Sequence, residues 1–244
     1  MVTNFDHPLG QGRRAERSAS PHTPSCPNAA SRTVRRVIDD AAHDRLPLLD
    51  VPELTAEQRA VYDALGASRG RADGGRPRPR LRWVDDDGRL LGPFNAMLYS
   101  PPVGLPLQEL GAALRFRTAF TLRERELATL AVAGHERSDY EWYAHERIGR
   151  GAGLTEEELD TLRAGRRPVL ADPRERVVYE VARTLAVEGD LADARYEEAV
   201  ATLGRPLLVE LVTLVGYYAA LALQLRVFRV GLPPGEPGVE WEAP

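Results

Sequence analysis

The chain has 244 residues, of which 43% are hydrophobic and 28% charged, and a net charge of −4. This is the make-up of a soluble globular protein, and it offers neither nucleic acid nor an anionic membrane the basic face each would need. Every basic side chain counted in it is arginine and the only cysteine is Cys26, which leaves no lysine for a Schiff base or phosphate loop and no thiol pair for a disulfide, zinc or redox centre.

Residues 1–44 mix Ser, Pro, Arg, Asn and His without apolar periodicity, so a disordered tail is expected there, with no apolar secretory segment. The cytoplasm is the expected compartment. Order begins near Arg45, and "LTAEQ" supplies Thr55 as helix N-cap with Gln58 as its capping-box partner. A Gly/Arg connection, "GASRGRADGGRPRPR", leads to "LRWVDDDGRLLGP", which reads as a small hairpin around Asp87–Gly88. From Asn95 onward the pattern is helical. "LPLQELGAALRFRT" is one helix, and "TLRERELATLAVAGHE" is another with Thr121 and Glu124 as a capping box. "SDYEWYAHERIGRG" ends at Gly151 or Gly153, and "LTEEELDTLRAG" is capped by Thr155 and Glu158. "DPRERVVYEVARTLAVEG" has Asp172 as N-cap, Pro173 at the first helical position and Gly189 at its end. "DARYEEAVATLG" and a long apolar helix from 206 to about 230 follow. That last stretch has the length of a membrane span, but it contains Glu210 and Gln224 and reads as a buried core or interface helix. Residues 233–244 read as a tail. The expected architecture is therefore all-α, with one helical domain over 45–232, a minor hairpin and two loose ends.

The chemistry concentrates in "SDYEWYAHE", residues 138–146. On a helix Ser138, Glu141 and His145 share one face, with Trp142 beside them. The i, i+4 spacing lets the Glu141 carboxylate meet the His145 imidazole, raising its pKa toward the range of a physiological proton carrier. Ser138 and Glu141 also match the capping-box pattern that this chain uses at three other helix starts, so a structural role competes with a chemical one. Glu126, in "RERELATLAVAG", borders the buried stripe of the preceding helix, where a carboxylate needs a partner. The short turn at Gly134–Arg137 brings His145 within its reach. His135 reads as a helix-end residue, and a metal site from His135, Glu141 and His145 lacks a recognised ligand spacing. The pair Tyr217–Tyr218 reads as packing.

The stretch "ERELATLAVAGHERSDYEWYAHERIGRGAGLTEEEL" resembles the signature of the carboxymuconolactone decarboxylase family, in the AhpD-like superfamily of helical bundles. The resemblance extends from about "GPFNAML" to "VGLP". It implies that Glu126 matches the upstream glutamate of the redox branch and His145 its histidine, while Ser138 and Glu141 stand where that branch has its two cysteines. Without a thiolate, peroxidase activity is disfavoured, and the Glu141-Trp142-His145 pattern is similar to the decarboxylase-type branch. The implied activity is cofactor-free and metal-free acid/base chemistry on a small lactone or keto acid. Its catalytic residues would be Glu126, Glu141 and His145, with Ser138 and Trp142 lining the substrate. The implied assembly is a homo-oligomer, a trimer or a larger ring such as a hexamer. An antioxidant protein or a non-catalytic helical scaffold are the alternatives.

Overall fold

A computed structural model of the chain describes residues 45–69 and 81–242. The expected N-terminal tail over 1–44, with Cys26, and most of the Gly/Arg connection lie outside the described residues.

After a 3-10 turn at Val51–Glu53, helix α1 (Ala56–Arg69) starts at the expected box. The Thr55 amide donates to Gln58 Oε1 at 2.9 Å and the Gln58 amide to Thr55 Oγ1 at 3.3 Å. The expected hairpin is reduced to one antiparallel bridge between Val84 and Leu90. The Leu91 amide adds a bond to the Trp83 carbonyl, and the Asp85 carboxylate closes the turn by accepting from the Asp87 and Arg89 amides. So short a ladder makes no strand, and none is present among the described residues.

Helices α2 (Pro93–Tyr99) and α3 (Pro101–Phe116) follow. Helix α3 starts four residues before the apolar pattern suggested, because Pro101 and Pro102 occupy positions whose amides need no helical acceptor. Helix α4 (Leu122–Glu136) is the axis of the fold and packs on α5 (Asp139–Ala152), α6 (Glu156–Arg163), α7 (Pro173–Glu188) and α8 (Asp193–Phe228). Surrounded in this way, it is buried continuously from Glu124 to Ala133, charged residues included. Its sequence accordingly lacks the clean two-faced pattern of a surface helix.

Arg123 fastens the start of α4 to three neighbours. Its guanidinium bonds Glu158 of α6 at 2.5 Å, Glu175 of α7 at 2.9 Å and the carbonyl of Gly153 beyond α5 at 2.5 Å. Capping boxes at Thr121 and Thr155, and the Asp172 cap with Pro173 behind it, form as the sequence indicates. The two expected C-terminal helices run into one long element broken at Gly204, whose φ of 76° and ψ of 158° are open to glycine and strained for other residues.

By length and a mean hydropathy of 1.8, α8 meets the requirements of a membrane span, but half of its apolar window is buried inside the fold. It packs against α2, α3, α4 and α7, as a core helix does.

The last stretch has no regular structure, as expected of a tail, yet it is anchored. Trp241 donates its indole N–H to Asp139 at 2.7 Å and sets its ring against Trp142. Glu236 pairs with Arg147 at 2.7 Å. Apolar Val239 and Trp241, only two positions apart in a polar stretch, were too few to signal this packing.

Candidate active site

Helices α4 and α5 run antiparallel across a turn too short to give each its own terminus. Arg137 adopts left-handed geometry, and the Ser138 amide donates back to the Ala133 carbonyl at 3.0 Å, closing α4. Ser138 is also the N-cap of α5, but its side chain makes no cap bond. The amide that Glu141 would accept from in a capping box is already engaged, so Glu141 does not fold back over the helix end.

Glu141 turns inward instead. Only 3% of it is exposed, and among the described residues neither carboxyl oxygen has a hydrogen-bond partner, nor do the hydroxyls of Ser138 and Thr129 or the Trp142 indole N–H. Burial pushes the Glu141 carboxyl up to about 8, with the neighbouring Ser138 hydroxyl opposing the shift, Glu136 adding to it and Arg226 opposing it. Ser138 stands close enough to act on this charge but not in bonding geometry.

The expected Glu141–His145 contact is not formed. His145 Nδ1 faces Glu126 Oε2 across the helix pair at 2.6 Å. Glu126 is itself 1% exposed, and its other oxygen accepts from Arg125 Nε at 3.3 Å. Arg125 is braced in turn, with Nη1 on the Arg115 carbonyl at 2.5 Å. The imidazole packs against the Tyr218 ring of α8 nearly perpendicular to it, centroid to centroid at 4.9 Å. Tyr217 lies 5.2 Å beyond, again nearly perpendicular. Burial, and after it the Glu126 charge, hold the Tyr218 hydroxyl above its ordinary pKa, while Arg115 and Arg125 act the other way.

The structure thus gathers Glu126, Ser138, Glu141, Trp142 and His145 along one α4–α5 seam. Glu126 and His145 are joined, and Glu141 is a separate buried acid one turn away. Trp142, 1% exposed, fills the core between Gly134 and Trp241. Arg125 and Tyr218 were missed by the sequence reading. Arg125 sits among charges that look solvated in sequence, and Tyr218 reaches His145 only through the long-range packing of α8.

Residues 101–184 match the model of the carboxymuconolactone decarboxylase family. Over that segment, about a third of the chain, the protein is similar to the family. The match runs from the start of α3 to near the end of α7 and includes all five seam residues, whereas Tyr218 lies outside it. No curated protein matches the chain. Among the described residues, no group of three His, Cys, Asp or Glu side chains is placed to hold a metal ion.

Proposed function

We propose that the chain is a cofactor-free acid/base enzyme acting on a small lactone or keto acid, by decarboxylation or a related isomerisation or hydrolysis. The observation that carries this reading is the Glu126–His145 hydrogen bond of 2.6 Å, made by a carboxylate buried to 1% exposure and braced by Arg125. A buried carboxylate braced by an arginine fixes the imidazole in one orientation and tautomer, the arrangement a proton carrier uses. Glu126 as a carboxylate accepts from Nδ1–H, which orients the ring and makes Nε2 the atom that takes or returns a proton.

In a decarboxylation the carbon–carboxylate bond breaks, CO₂ leaves, and the electron pair passes into a conjugated carbonyl as an enolate. The enolate then collapses, and its carbon takes a proton from Nε2 of the imidazolium, which recovers one from water. Burial keeps Glu141 a neutral acid at pH 7, so in this reading it is a hydrogen-bond donor to developing oxyanion charge, not a partner for His145. The hydroxyls of Ser138 and Thr129 and the Trp142 N–H lack partners among the described residues and suit the oxygen atoms of such a substrate.

The test is a screen of lactones and keto acids for turnover, followed by His145→Gln and Glu126→Gln. Both variants are expected to remain folded, with His145→Gln losing activity on the order of 10²-fold or more. Full activity in His145→Gln would remove His145 as the proton carrier, and turnover of no lactone or keto acid would leave the chain a helical scaffold.

A further inference from the structure

The α4–α5 seam is closed to solvent, with Glu126 and Trp142 1% exposed and Glu141 3%. Packed helices shut in α4, but the first turns of α5 are covered by the C-terminal segment 233–242, which lies across Asp139 and Trp142. This cover is of a different kind from the rest. It has no regular structure, and among the described residues its backbone makes one hydrogen bond to another backbone group, from Glu236 to Pro233 at 3.1 Å within the segment itself. A segment with so little backbone bonding belongs to the low-stability end of a fold, where local opening is cheapest.

Charge holds it in place. The segment carries Glu236, Glu240 and Glu242 and no basic residue, and four arginines from separate parts of the chain receive it. Arg147 of α5 pairs with Glu236 at 2.7 Å, and Arg166 beyond α6 pairs with Glu242 at 3.1 Å. Arg137 of the α4–α5 turn donates to the Glu242 carbonyl at 2.8 Å, and Arg82 to the Pro234 carbonyl at 3.4 Å. Arg147 is set in advance, with its guanidinium carbon 4.1 Å from the centre of the Tyr143 ring and Nη1 on the Tyr143 carbonyl at 2.9 Å. The Arg166–Glu242 pair has both side chains at least 60% exposed, so salt screens it. Val239 and Trp241 add the apolar contacts.

We propose that residues 233–242 act as a strap, latched by these arginines, which lifts from α5 as a unit and so controls the entry of solvent and small solutes at the Trp142 end of the seam. The strap is defined by its own contacts and does not depend on the reaction proposed above. Because the latch is ionic, rising ionic strength loosens it. Trp142 reports the opening directly. Its indole N–H is buried and has no hydrogen-bond partner among the described residues, so burial alone protects that proton from exchange, and Trp241 is packed on the same ring.

The experiment measures solvent exchange of the Trp142 and Trp241 indole protons at fixed pH in ¹H–¹⁵N spectra of the full chain, assigned with Trp83→Phe and Trp241→Phe. On going from about 0.1 M to about 1 M salt, where the screening length falls from about 10 Å to about 3 Å, both protons are expected to exchange faster together. The backbone amides of α4 are expected to keep their rates. Glu236→Gln, which leaves the core untouched, is expected to speed both protons by about twofold to fivefold at low salt and to weaken the salt response. Trp241→Ala is expected to speed Trp142 exchange by about tenfold or more. The strap is overturned by Trp142 exchange that neither salt nor Glu236→Gln changes, or by salt moving the Trp241 proton without that of Trp142. A rise shared with the α4 amides overturns it too, because the protons then escape by opening of the whole fold. Should Trp241→Ala fail to fold, wild type and Glu236→Gln decide by the same outcomes.

Discussion

Glu141 is a carboxyl whose folded-state pKa, about 8, lies above its ordinary 4.5, with burial as the first cause. The native state therefore binds this proton more tightly than the unfolded chain does. Its contribution to stability is fully present below about pH 4.5 and is lost as pH rises through about 8. This is opposite in sign to the usual ion-paired carboxylate. Melting curves of wild type and Glu141→Gln across pH 5–9 should show the wild type losing stability relative to the variant as pH rises, by up to a few kcal/mol. Parallel curves would mean that Glu141 is solvated in the native state. The sequence brought Glu141 and His145 together by helical spacing alone, which places two side chains on a face but does not choose between partners. Glu126 prevailed because it comes from a helix buried on every side, where an unpaired carboxylate is costly.

Helix ends separate what local chemistry dictates from what it does not. The boxes at Thr55, Thr121 and Thr155 and the cap at Asp172 were legible because each forms within four residues and has an unencumbered N-cap amide. Ser138–Glu141 carries the same letters and forms no box, because the α4–α5 turn claims the Ser138 amide for the end of α4. Two substitutions should therefore diverge. Thr121→Ala removes an acceptor bonded to the Glu124 amide at 3.1 Å and should cost about 1 kcal/mol. Ser138→Ala removes a hydroxyl that caps nothing and should change stability far less, since a buried unpartnered polar atom gives way to an apolar one. Denaturant unfolding of the two variants checks this, and equal losses would restore the cap at Ser138. The break at Gly204 follows the same local logic: the apolar pattern resumed at Pro206, and the helix direction changes between the two residues.

At the scale of the molecule, α8 has one side still unaccounted for. Val209, Val212, Leu223 and Val227 are exposed to between 46% and 65%, and Gly216 and Ala220 fill the gap between them on the same stripe. The spacing of three and four is that of a helix-packing seam, and the stripe runs for roughly 27 Å at the ordinary rise per residue. Its middle is its narrowest part, which lets a second copy lie close along it. The full chain should therefore be at least a dimer by light scattering at micromolar concentration, and Val212→Arg should shift it toward monomer while leaving the helical signal intact. A monomeric wild type would remove the stripe from consideration as a subunit contact. The anchored C-terminal segment has a different kind of consequence. It sets the Trp241 indole 5.4 Å from that of Trp142 and nearly perpendicular to it, at 76°, close enough for their electronic transitions to couple. Trp142 precedes His145 by less than one helical turn. The chain therefore contains a built-in chromophore pair whose circular dichroism registers the seating of its own final segment, and any movement of α5 beside His145, without an added label.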